Sequence, residues 1–184
     1  MLLGNEGQRA HVDGSGLFEC FFTDVRGYME ERFTYPSADI TYEQLSAKTL
    51  YDASALMLSA EQRYFVDTPL ASFAFALAHK STMKAFVLCS NSRAVGINVL
   101  SADKKSGKYK IEIALVGKQY QHRGFGRMLL TRAIAYLEEE GAREIEIGVD
   151  RMNTAAQNLY FSLGFETHCV YDAWLLLKRT SKPA

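Results

Sequence analysis

Gln121, Gly124 and Gly126 stand at Gln-x-x-Gly-x-Gly spacing, with Lys118, His122, Arg123 and Arg127 around them and no acid between Glu112 and Glu138. A stretch of this kind is suited to holding an anion. Glycines let the backbone pass close to a ligand and take conformations a Cβ forbids, and a helix beginning here presents its first unpaired N–H groups with the positive end of its dipole. A phosphate-bearing ligand is expected at residues 121–127. Two familiar phosphate loops do not fit. A nucleoside-triphosphate loop needs Lys-Ser/Thr directly after its second glycine, which is missing here, and a dinucleotide loop needs a small residue where Leu129 stands. Asp150 lies near the position of a dinucleotide-fold acid, but the strand order argued next does not suit a doubly wound sheet.

The elements that position this loop read as strand, turn and helix. Residues 108–116 alternate Ile111, Ile113 and Leu115 with Lys110, Glu112 and Ala114, and residues 127–140 carry Leu130, Ala133, Ile134 and Leu137 at helical spacing. Upstream, 84–89 and 94–101 form a hairpin across a Ser-Asn-Ser-Arg turn, and a polar turn at 103–107 leads into 108–116, so three consecutive strands are antiparallel. Ile145, Ile147 and Val149 mark a fifth strand, parallel to the fourth because a helix lies between them. A helix from Thr154 to about Gly164 and a last strand pair, 165–171 and 174–178, follow. Toward the N-terminus we expect a strand at 17–22, a short helix at 24–33, and a helix capped by Thr41 that runs from 42 toward 64, with an interruption near Ser59. Residues 1–16, with four glycines, read as a flexible leader before a single domain at 17–184.

Composition narrows the partners. The chain has 184 residues, with 21 Lys/Arg and 21 Asp/Glu, so it offers no electrostatic footprint for nucleic acid or an anionic membrane. Residues 101–184 nevertheless carry 13 Lys/Arg against 10 acids, which suits one compact anion better than a polymer. Cys20, Cys89 and Cys169 are odd in number and each sits in apolar sequence, so free thiols in a reducing compartment are expected. The four histidines lack metal-ligand spacing, so no metal is expected. The longest apolar run, 70–78, is too short to span a bilayer, and no signal peptide follows Met1; a soluble, cytoplasmic protein is the expectation.

A second motif gives the anion loop a more specific meaning. Asn-x-x-Ala-x-x-Leu-Tyr-x-x-x-Gly-Phe at 153–165, following Gln-x-x-Gly-x-Gly with a helix and a strand between, resembles the GNAT superfamily of acyl-CoA-dependent N-acyltransferases. The resemblance covers about residues 84–178. It implies an α/β fold with a GNAT-like mixed, mostly antiparallel sheet, its central parallel strands 4 and 5 splayed apart and flanked by helices. It also implies acetyl-CoA as co-substrate, with the pyrophosphate held by Gln121, His122, Arg123, Gly124, Phe125, Gly126 and Arg127. The pantetheine arm would pair with backbone near Leu115 and Val116, where a strand bulge would free an N–H, and would meet Asn153, which serves equally well as a helix cap. Tyr160 would be the proton donor to the departing thiolate, although a tyrosine packed beside Leu159 is the plainer reading. Family members that acetylate ribosomal-protein N-termini often place a glutamate where this chain has Gly148, so that base does not carry over.

The chemistry implied is direct attack of a primary amine on the thioester. A lysine-like amine of pKa about 10.4 is neutral in only about one molecule in a thousand at pH 7, so a base helps. Glu112, on the strand leading to the reaction centre, is the candidate, against a plain solvated glutamate; Asp150 and Glu146 are weaker rivals. A non-catalytic acyl-CoA-binding or sensing module is the alternative function. The acceptor, a small-molecule or peptide amine, is open; Tyr28, Phe33, Tyr35, Tyr64 and Phe65 serve as pocket or as core. Residues 174–177 either close the core or pair with a second subunit in a homodimer.

Overall fold

A computed structural model describes residues 39–181. The expected leader, the strand at 17–22, the helix at 24–33, and Cys20, Tyr28, Phe33 and Tyr35 lie outside the described residues. Among the described residues seven strands are present: Ile40–Gln44 (β1), Met83–Ser90 (β2), Arg93–Asp103 (β3), Lys108–Val116 (β4), Glu144–Asp150 (β5), Glu166–Val170 (β6) and Trp174–Thr180 (β7). They form one sheet in the order β1-β2-β3-β4-β5-β7-β6, in which only β4 and β5 are parallel. Four helices accompany them: Ala47–Ser54 (α1), Pro69–Ala78 (α2), Phe125–Glu139 (α3) and Thr154–Ser162 (α4). This is the mixed α/β architecture expected from the second half of the sequence.

Period-two patterning on β2 and β3 supplies both faces of the sheet. Val87, Ile97 and Val99 join Ala53, Phe73 and Ala76 of α1 and α2 in one core, while Leu100, Ile111 and Ile147 join Leu130, Ala133 and Leu137 of α3 in the other. The β2–β3 hairpin turns on Asn91 and Ser92, both at positive φ (50° and 60°), a turn whose twist matches that of the flanking strands.

The helix expected from 42 to 64 is not formed as such. Residues 40–44 instead pair with β2 as an edge strand, where the Tyr42 ring stacks on Phe86 at 5.1 Å and its hydroxyl donates to Asn98 Oδ1 at 3.2 Å. That aromatic pairing across strands outweighs the weak local helix signal. The helix starts five residues late, where the Ser46 N–H donates to Thr49 Oγ1. The apolar run at 70–78 is a helix of its own, with Pro69 at its first position and Thr68 Oγ1 accepting from the Ala71 N–H.

Two irregularities in β4 matter for the site. Pairing with β5 is confined to Lys110–Glu146 and Ile111–Ile147, although β4 continues to Val116 and β5 to Asp150, so the strands part after two residues. Pairing with β3 slips between Val99–Ile113 and Leu100–Ile111, which leaves Glu112 as the extra residue of a bulge. The bulge therefore sits three residues before the Leu115 position where it was expected. β7 lies between β5 and β6, so both its edges are paired within this sheet; of residues 174–177, Leu177 is buried in the core and Trp174 is exposed. Cys89 is buried and Cys169 partly exposed, both as free thiols. No described helix is long and apolar enough to cross a membrane.

Candidate active site

Where β4 and β5 separate, a cavity of about 230 Å³ opens between them. Its walls are the bulged stretch from Ile111 to Ala114, the end of β5 from Ile147 to Asp150, Asn153 and Tyr160 from the α4 region, and Phe65, Val66 and Asp67 from the segment before α2. Three residues singled out from sequence, Glu112, Asn153 and Tyr160, thus share one cavity. Leu115, Val116 and the loop at 121–127 are not among its walls; they follow along β4.

The loop is built as an anion cradle. His122 (φ 58°) and Gly124 (φ 81°) are both left-handed, and Gly124 caps α3. The first bond of the helix runs from the Met128 N–H to the Gly124 carbonyl, so the N–H groups of Phe125, Gly126 and Arg127 precede it. Phe125 turns its ring into the core beside Leu88, Val95 and Leu129, which anchors the helix start. A Cβ on Gly126 would lie 3.3 Å from Leu159 Cδ2 and 4.0 Å from Val116 Cγ2, so this glycine lets α3 approach the end of β4 and the residue beside Tyr160. Arg123 is exposed, whereas Arg127 Nη2 donates to Ser162 Oγ at 2.7 Å, at the far end of α4.

The end of β4 has a defined polarity. The Gly117 N–H donates to the Val95 carbonyl at 2.9 Å, and antiparallel alternation then turns the backbone of Leu115 and Ile113 toward β3 as well. Val116 and Ala114 face the opposite way, into the gap. Consistently, the Val116 carbonyl accepts from Gln62 Nε2 at 3.0 Å and from Gln121 Nε2 at 3.4 Å. Gln62 was missed in the sequence because a 3₁₀ turn far upstream brings it there.

Within the cavity the carboxylates differ. Glu112 Oε1 accepts from Ser101 Oγ at 2.8 Å and is otherwise exposed. Asp150 Oδ1 accepts from the Met152 N–H at 2.7 Å, as a turn acceptor. Glu146 is held by Lys110 at 3.4 Å and Lys178 at 3.3 Å across three strands, outside the cavity walls. Asn153 Oδ1 caps α4 by accepting from the Ala156 N–H at 3.1 Å. Tyr160 is 8% exposed with no hydrogen-bond partner among the described residues, and burial pushes its phenol up to about 12. Gly148 leaves room for the ring of Trp174, two of whose carbons would lie 3.7 Å from a Cβ there. The same ring stacks on Tyr171 at 4.2 Å. Among the described residues no cluster of metal-ligating side chains is present.

Residues 47–165 match the acetyltransferase (GNAT) family. An uncharacterized N-acetyltransferase of Methanocaldococcus jannaschii is 29% identical over 126 residues, 65% of this chain and 56% of that protein, so the chain spans about half the length of this relative. Among solved structures, the PaiA N-acetyltransferase of Thermoplasma acidophilum in complex with coenzyme A aligns with a TM-score of 0.61 at 16% identity, over 78% of this chain and 99% of that one. The ribosomal-protein-S18-alanine N-acetyltransferase of Escherichia coli aligns at 0.63 and 24% identity, over 79% and 96%. These likenesses establish a shared fold.

Proposed function

The chain belongs to the acetyltransferase (GNAT) family, and from that premise we propose that it transfers an acetyl group from acetyl-CoA to a primary amine by direct attack on the thioester. The observation that carries this reading is the opening between β4 and β5, which gathers Glu112, Asn153 and Tyr160 in one cavity, with a helix N-terminus free of acids following along β4. The N–H groups of residues 124–127 and the side chain of Arg123 would hold the pyrophosphate. Gap-facing backbone of Ala114 and Val116 would pair with the pantetheine arm, and a gap-facing N–H there would polarise the thioester carbonyl. Leu115, whose backbone is turned to β3, is the less suited of the two strand residues expected from sequence.

In the transfer, a C–N bond forms as the C–S bond breaks, the amine loses a proton and the departing thiolate needs one. Glu112 accepts the amine proton directly or through water. Tyr160 faces the leaving sulfur. From a phenol at about 12 to a thiolate near 8.5, complete transfer is uphill by about 5 kcal/mol, so Tyr160 stabilises the thiolate as a hydrogen-bond donor and full transfer completes only with proton gain from the amine side. A phenol that stays protonated is suited to this role.

The test is a pair of measurements. Coenzyme A at about a hundred times its dissociation constant should stabilise the fold by about 2.7 kcal/mol, seen as a raised melting temperature. Acetyl-CoA with a panel of amines should release free thiol. No shift at millimolar coenzyme A removes the reading; a shift with no thiol release from any amine class leaves an acyl-CoA-binding module instead.

A further inference from the structure

The two ends of the opened strand pair carry opposite charge. The loop end holds Lys118, His122, Arg123 and Arg127 with no acid between Glu112 and Glu138. The cavity at the other end is walled by Asp67, Glu112 and Asp150, from three separate elements, and by no Lys, Arg or His. Lys110, next in the chain to the wall residue Ile111, is already paired with Glu146, and Arg151 reaches away to the Asp172 carbonyl at 3.3 Å. The Tyr160 side chain, 8% exposed and without a hydrogen-bond partner among the described residues, lines the same cavity, where a ligand would complete its polar contacts. Against its Gly148 wall lies the Trp174 ring, 41% exposed and stacked on Tyr171, with a face on which a cation can rest.

From this arrangement we infer that the acceptor is a compact dicationic or polycationic amine: one nitrogen, neutral, faces the reaction centre, and a second, charged nitrogen is held by Asp67, Asp150 and Trp174. The inference rests on the acetyl-transfer reading for the identity of the reacting nitrogen. Glu112 is reserved for the proton of the first nitrogen, so Asp67, with no hydrogen-bond partner among the described residues, and Asp150 remain to neutralise the second. A single-cation amine would leave the exposed Asp67 and the half-buried Asp150 to water alone, and an acidic or acylated acceptor would be repelled.

Calorimetric titration of the protein saturated with coenzyme A, using 1,4-diaminobutane and n-butylamine as probes, reads this directly. The diamine should bind at least about tenfold tighter than the monoamine, with the preference shrinking at high salt. In an Asp67→Asn/Asp150→Asn variant the preference should fall below about threefold. Asparagine at 150 keeps an oxygen for the Met152 N–H, so this variant is expected to fold, with its melting temperature as the check. Trp174→Ala should weaken the diamine more than the monoamine. Equal affinities, failure of both probes to bind, or a preference unchanged in the double variant would overturn the inference. Because affinity is measured without turnover, these outcomes are separate from failure of thiol release.

Discussion

Ser101 Oγ donates a hydrogen bond to Glu112 Oε1 at 2.8 Å, tying the residue that bulges out of β4 to the strand against which the register slips. The bulge turns a residue that regular pleating would place on one sheet face into a wall of the cavity, and the serine fixes its carboxylate. If Glu112 takes the proton from the amine, Glu112→Gln should lower kcat/KM for a lysine-like amine about a hundredfold. Ser101→Ala, which only loosens the carboxylate, should cost about three- to tenfold. An acceptor with an α-amine near pKa 8 needs less help and should lose less in Glu112→Gln. Thiol-release kinetics on the two amine types decide it: a loss below about threefold in Glu112→Gln, or the same loss for both amines, rules Glu112 out as base.

Tyr160 should report itself through pH. Its folded phenol titrates at about 12, an unfolded one at about 10. Between these values the unfolded chain surrenders the proton while the folded chain keeps it. The stability linked to this group is therefore fully present below pH 10 and is lost as pH rises toward 12, by up to about 3 kcal/mol. Tyr160→Phe lacks that titration, so urea unfolding at pH 8 and pH 11 should show the wild type losing more than the variant across the interval; the raised phenol of Tyr42 is common to both and cancels. Parallel curves would contradict the buried phenol. In turnover, Tyr160→Phe should leave coenzyme A affinity intact and lower kcat at least tenfold, and a change below about threefold would end its role as donor to the thiolate.

What the sequence made legible follows from how local each feature is. Gly124 and the helix that follows it are specified within a few residues, by a left-handed position and an apolar stripe, and so is the Asn153 cap with its Ala156 partner. The parting of β4 and β5 came with the family resemblance, and the register of two pairs agrees with it. β1 was not legible, because the strand formers Ile40, Thr41 and Tyr42 make too short a run to mark a strand by themselves and are held by Phe86 and Asn98, more than forty residues away. For the same reason the acidic cavity was hidden: Asp67, Glu112 and Asp150 are far apart in the chain, and only the topology joins them. Gln62 at Val116 and Trp174 over Gly148 are likewise products of tertiary packing.

The loop separates backbone function from side-chain function. Gly124 has φ 81°, where an L residue costs about 1–2 kcal/mol, so Gly124→Ala should destabilise by roughly that amount and also shift the N–H groups of α3, weakening coenzyme A binding. His122 already bears such a conformation at φ 58°. His122→Gly should therefore hold or raise stability by up to about 1 kcal/mol, measured by urea unfolding, while its coenzyme A affinity shows whether the imidazole contributes. A clear loss of stability in His122→Gly would mean that the histidine side chain, and not the backbone, secures the turn.

The buried Arg179 sets how firmly α4 is held. Its side chain is 2% exposed; Nη1 lies 2.6 Å from Glu138 Oε1 on α3, and Nε donates to the Leu163 carbonyl at 3.1 Å, at the end of α4 three residues past Tyr160. The partners are unequal, since the Glu138 side chain is 34% exposed and can turn to water, whereas the Arg179 side chain is 2% exposed and cannot. Removing the acid takes a charged partner from a buried cation, and removing the cation leaves only an acid that water reaches. Glu138→Ala should cost about 2–3 kcal/mol, below the range for fully buried pairs because water reaches this one from the Glu138 side. Arg179→Met, which fills much of the same volume without a charge, should cost about 1–2 kcal/mol, chiefly from the Leu163 carbonyl left without this donor. Urea unfolding of the two variants checks the order. If Arg179→Met proves the more costly, the guanidinium's bond to the end of α4 outweighs its ion pair, and the argument from desolvation is wrong for this site.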